Sequence, residues 1–148
     1  MSKVLKHFRV ALTGDFFSAD GSTKYPDIGL SVFDGHGHLE WVKLGSHRSP
    51  IGSDQVADAQ GIIVLTPAVT AESVSQARDL LAIGRFGVGY DAVDVEACTL
   101  ADVAVFITAG AVDRSVAEAT VGWMIALTHQ VRIKDILVRT GQIGRAHV

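Results

Sequence analysis

A chain of 148 residues with 48% hydrophobic content is the size of one domain and long enough to bury a substantial core. The 13 basic residues are scattered and outnumbered by 16 acidic ones, giving a net charge of −3, which argues against a phosphate-backbone footprint and so against nucleic-acid partners. A single cysteine, Cys98, offers neither an internal disulfide nor a thiol pair for zinc and fits a reducing, cytoplasmic setting. The apolar run behind the basic N-terminus is only Val10 to Thr13, too short for an export signal. No run approaches the ~20 apolar residues of a spanning helix, so no membrane partner is expected.

In chain order, apolar runs bounded by turn residues predict strands at Phe8–Leu12, Leu39–Leu44, Gly61–Leu65, Leu80–Phe86 and Val103–Ile107. The second alternates only partly and reads as a strand nearer the sheet edge. GIIVL and VAVFI are continuous, the pattern of strands covered on both faces of a parallel sheet. Helix-length segments lie between them. Asp27–Phe33 is a weak candidate, Ser53-Asp54 caps a short helix, Thr70 caps one running to about Asp79, and Val95–Leu100 makes barely two turns. This alternation points to βαβ units within one domain, with no repeat or linker. Ser115 and Glu118 form a capping box, with Asp113 an alternative cap, for a last helix running to Arg139, roughly 25 residues or about 37 Å. Its middle, VGWMIAL at 121–127, is apolar on every side and asks for cover on two faces.

The chemistry-bearing stretch follows the fourth strand. Gly87-Val88-Gly89-Tyr90-Asp91-Ala92 formally matches the GxGxxA dinucleotide fingerprint, but the short helix behind it and the flanking Asp91 and Asp94 are wrong for a pyrophosphate. A strand-end glycine loop instead favours a carboxylate held by the Val88 and Gly89 amides, or else is a bare structural turn. Thr66 ends the third strand on the same rim, so a carboxylate held between the two loops is a candidate arrangement. Arg85 reads equally as an anion-steering group or as half of a rim salt bridge. None of the six histidines pairs with carboxylates at ligand spacing, His36 and His38 included, so no metal site is expected. Ser115 lacks a base and an oxyanion hole and is read as a cap.

GRFGVGYDAVDVEACT at 84–99, followed after a strand by RSVAEATVGWMIAL at 114–127, resembles the D-isomer-specific 2-hydroxyacid dehydrogenase family, most closely over residues 61–141. The resemblance implies a flavodoxin-like parallel sheet flanked by helices, a substrate-binding domain over residues 1–148, and a long interdomain-type helix at its end. It also implies a cofactor, NAD or NADP, on a Rossmann domain that these residues do not include. By that likeness Val88 and Gly89 hold the substrate carboxylate, and Val88 and Val116 lie beside the nicotinamide end. The family's catalytic Arg, Glu and His fall after Val148, so no residue here takes those roles. Ala92 stands where Asn is common, Ala109 where Pro is usual and Val112 where Asn often faces the site.

The sequence is thus read as the substrate-binding portion of an NAD(P)-dependent oxidoreductase acting on a small 2-hydroxy or 2-keto acid, truncated and inactive alone. A homo-oligomer formed through the C-terminal helix is expected. The rival reading is a free-standing, non-catalytic flavodoxin-like binding or interaction module. Thr13-Gly14-Asp15-Phe16 after the first strand is poor for a flavin phosphate loop, and the third strand ends in Leu65-Thr66-Pro67 without the acidic cluster of a phosphorylation receiver.

Overall fold

Five strands arise where the apolar runs predict them: β1 (Phe8–Leu12), β2 (Leu39–Lys43), β3 (Gly61–Val64), β4 (Ala82–Arg85) and β5 (Ala104–Ile107). The computed structural model describes residues 7–142. The strands form one sheet, all parallel, in the order β2-β1-β3-β4-β5. That order is the doubly wound, flavodoxin-like one. The chain clusters into two compact units, one ending at Ala109 and one beginning at Gly110.

Side-chain alternation along the central strands divides the core of the first unit in two. Ala11, Ile62, Val64 and Ile83 face a large cluster with Val56, Val74 and Cys98, whereas Val10 and Leu12 face a smaller one with Phe16 and Phe17. The helices α1 (Ser53–Val56), α2 (Ala71–Val74) and α3 (Val95–Leu100) supply the first cluster. The second is closed by loop and 3₁₀ residues between β1 and β2, including Leu30 and Phe33.

β2 lies at the sheet edge as its partial alternation implies. VAVFI departs from expectation: β5 is the opposite edge, with Phe106 61% and Ile107 38% exposed. An uninterrupted apolar run reports a need for cover, which β3 finds on both faces and β5 does not within the described residues. The helix after Thr70 also stops early. The Thr70 hydroxyl accepts from the Ser73 N–H as a cap should, but the Ser73 and Ser75 hydroxyls donate to the Ile51 and Glu72 carbonyls and compete with helix propagation. At α1 the N-cap is Gly52, one residue before the expected Ser53, and the Gln55 side chain accepts its N–H. The Asp27–Phe33 candidate becomes a 3₁₀ segment at Leu30–Phe33 behind a left-handed Gly29.

In the second unit the single long helix is instead two, α4 (Asp113–Thr128) and α5 (Val131–Arg139). Gln130 turns left-handed at φ 52°, its N–H satisfying the Leu127 carbonyl, and the Thr128 hydroxyl donates back to the Met124 and Ile125 carbonyls. No Gly or Pro marks this break, so the pattern could not announce it. α4 also starts earlier than the Ser115 box. Val112 is its N-cap, Asp113 supplies a first-turn acid, and Glu118 pairs with Arg114 at 2.8 Å rather than closing a box. No residue of α4 or α5 is buried.

Candidate functional site at the strand ends

The carboxyl ends of β1, β3 and β4 carry one row of functional groups. The register pairs Leu12 with Ile63 and Val64 with Arg85, so the segments holding Asp15, Thr66 and Gly87 leave the sheet at neighbouring strand ends. Hydrogen bonds hold that alignment: Thr13 N–H to the Ile63 carbonyl at 3.1 Å, Leu65 N–H to the Thr13 hydroxyl at 3.1 Å, and Phe86 N–H to the Val64 carbonyl at 2.8 Å. The fully buried Phe16 ring meets Phe86 edge-on, with centroids 5.2 Å apart, locking the loop after β1 against the end of β4.

The glycine loop follows directly. Gly87 adopts φ +151°, a conformation L side chains rarely adopt, and a Cβ there would lie 2.6 Å from the Arg85 guanidinium. Its own N–H and carbonyl are engaged, with the Arg85 carbonyl at 2.8 Å and the Thr108 N–H at 3.0 Å. Among the described residues the N–H groups of Val88 and Gly89 donate to nothing, and they stand at the end of a parallel strand where open α/β sheets bind ligands. Val88 is half-buried and Gly89 exposed. A parallel bridge between Val69 and Val93 stitches this loop to the one after β3, with Val69 N–H to the Ala92 carbonyl at 2.8 Å and Asp94 N–H to the Val69 carbonyl at 2.9 Å. The structure thus brings Val88, Gly89 and Thr66 to one rim of the sheet, while Val116 lies on α4 and is 59% exposed.

Thr66 is committed in a way its sequence neighbours do not reveal. Its N–H donates to Asp15 Oδ2 at 2.9 Å and its hydroxyl donates to the same oxygen. Partial burial pushes the Asp15 carboxyl up, but the nearby Thr13 hydroxyl and the hydrogen bonds from the Thr66 hydroxyl and N–H outweigh it and hold its pKa below the ordinary value. Asp15 Oδ1 is buried without a partner, and no cation pairs with Asp15 among the described residues. Sequence reading passed over Asp15, because its partner lies 51 residues away and only the strand register joins them. Arg85 forms no rim salt bridge among the described residues; its guanidinium donates to the Phe86 carbonyl beside Gly87.

Other chemistry-bearing residues lie away from this rim or are inert. Burial, and then the charge of Asp94, raise the pKa of the Cys98 thiol, the opposite of an activated nucleophile. Among the described residues no three His, Cys, Asp or Glu side chains are placed to hold a metal. The His36 and His38 rings meet edge-on at 6.0 Å. A separate concavity is lined by Arg9, Lys43, Arg48 and Asp54, with Arg48 spent on Asp54 at 2.5 Å.

The five-stranded, all-parallel order defines an α/β protein of the flavodoxin-like class. Residues 38–139 match the family described as D-isomer specific 2-hydroxyacid dehydrogenase, catalytic domain, and the chain belongs to that family. It is 35% identical over 81 residues to a glyoxylate reductase of Thermofilum pendens, covering 55% of this chain and 24% of that protein. To the D-3-phosphoglycerate dehydrogenase of Rattus norvegicus it is 37% identical over 92 residues, covering 62% of this chain and 17% of that protein. It therefore spans about a quarter or less of the length of these two relatives. In fold it is similar to a D-lactate dehydrogenase from Aquifex aeolicus, solved with NAD and lactic acid, with a TM-score of 0.72 at 18% identity, covering 93% of this chain and 39% of that one.

A dinucleotide of the kind this family implies finds no pyrophosphate cradle among the described residues. The helix behind the glycine loop, α3, has 6 residues, and its N-terminus is already capped by the Asp94 carboxylate accepting the Ala97 N–H at 2.9 Å. A fixed carboxylate there repels a phosphate where the fingerprint would need to attract one. The described residues also include no helix long and apolar enough to cross a membrane.

Proposed function

We propose that this chain is the substrate-binding portion of an NAD(P)-dependent dehydrogenase acting on a small 2-hydroxy or 2-keto acid. The unpaired Val88 and Gly89 amides are the observation that carries this reading, for they form a pair of donors at a sheet's ligand-binding edge. In the proposed complex these amides donate to the substrate carboxylate, with the Arg85 guanidinium close by at the end of β4. Thr66, whose two donors are spent on Asp15, meets the substrate through hydroxyl lone pairs and accepts from the hydroxyl of a 2-hydroxy acid.

Cofactor and proton donor lie outside these residues in this reading, on a nucleotide-binding body that binds NAD or NADP. Val88 is apolar and would border its nicotinamide end. Residues 1–148 by themselves therefore hold the acid but transfer no hydride. Cytoplasmic location and self-association through the C-terminal helices belong to the same proposal.

Titration of the isotope-labelled chain with glyoxylate, followed by amide NMR, tests it. Shifts centred on Val88 and Gly89, lost in Val88→Pro, are expected, with no oxidation of added NADH. Shifts confined to other residues, or turnover by the purified chain, would overturn it.

A further inference from the structure

Asp15 is a charge the proposed carboxylate site has no evident use for. It lies just past the end of β1, which pairs with β3, which in turn pairs with β4. Its carboxylate reaches from the loop after β1 to Thr66 at the end of β3, the strand beside the one that carries the glycine loop. The Thr66 N–H and hydroxyl favour its charged form, no cation neutralises it among the described residues, and the buried Phe16 beside it fixes the backbone that carries it. At the other end of the loop a Cβ on Gly89 would lie 3.8 Å from the Asp91 carboxylate. One guanidinium, Arg85, and the free amides match one carboxylate, while Asp15 and Asp91 add negative charge at the two ends.

We propose that Asp15 is a specificity-determining residue, a fixed anion that admits acids with a single negative charge to the glycine loop and disfavours those bearing a second, such as dicarboxylic or phosphorylated acids. The inference rests on the reading of the Val88 and Gly89 amides as the carboxylate site. Such a charge repels every anionic group within about a Debye length, roughly 8 Å at physiological ionic strength, so a second one on the ligand adds a cost that the amides and Arg85 offset only for the first.

D-lactate and D-malate make the matched pair of probes, since they share the 2-hydroxy acid and differ by one carboxylate. Affinities are read from the Val88 and Gly89 amide shifts of the full 148-residue chain at low salt. The wild type is expected to favour D-lactate by about fivefold, the scale of one screened charge at this range. Asp15→Asn keeps an acceptor for Thr66 and is expected to bring the ratio to about two or less. Should Asp15→Asn fail to fold, the wild-type ratio itself must collapse toward unity in high salt. A ratio unchanged in Asp15→Asn, or equal affinities in the wild type, overturns the inference while leaving the loop reading intact. If D-lactate moves neither amide, it is the loop reading that falls, and the charge filter with it.

Discussion

The strand β3 and the middle of helix α4 are comparably apolar, GIIV in one and VGWMIAL in the other, yet they end in opposite environments. Ile62 and Val64 are buried to 3% and 0% exposure, whereas Trp123 and Leu127 on α4 remain 70% and 78% exposed. Around β3 the chain supplies its own cover within a few dozen residues on both faces. α4 and its neighbour α5 bury no residue at all. Apolar composition therefore states how much cover an element demands and leaves open what supplies it.

The strongest way to break that contrast is a matched pair of truncations. Ile83→Ala empties a site of 0% exposure and is expected to destabilise the sheet unit by about 3–4 kcal/mol in urea unfolding, while Leu127→Ala should stay within about 0.5 kcal/mol. Equal losses would mean that α4 is buried in solution after all.

At the rim the expected effects are smaller. Asp15→Ala strands the Thr66 donors and is expected to cost about 1–3 kcal/mol. Because the native pKa of Asp15 is lowered, its contribution is fully present above the unfolded value of 3.8 and is lost as pH falls through the native one, so the penalty of Asp15→Asn should shrink only in that acidic window. A penalty that shrinks instead as pH rises toward neutrality would contradict the assignment.

The smallest effect distinguishes two helices from one. Gln130→Gly relieves a left-handed side-chain residue and should leave helicity at 222 nm unchanged or slightly raised, by about 0.5–1 kcal/mol of local stability. In a continuous helix the same change would cost about 1 kcal/mol and lower the signal.

Much of the fold was legible because its signals are local. All five strands fall within a residue or two of their apolar runs, and the short α3 forms over Val95–Leu100 as expected. The breaks at Thr128–Gln130 and after Val74 were not legible, since they are made by hydroxyls bonding back to carbonyls rather than by Gly or Pro. Of the candidate site, the glycine loop could be read from its residues and its place after a strand. The grip of Asp15 on Thr66 could not, because it joins residues 51 apart through strand register alone.

By itself the sequence determined that this chain would form a parallel α/β sheet with a glycine loop at a strand end, since period, turn residues and caps act over a few residues each. Only the tertiary structure decided which strand ends share a row, which amides are left without partners and where an uncompensated carboxylate stands beside them. Those are outcomes of pairing between distant segments, and no local pattern of residues encodes them.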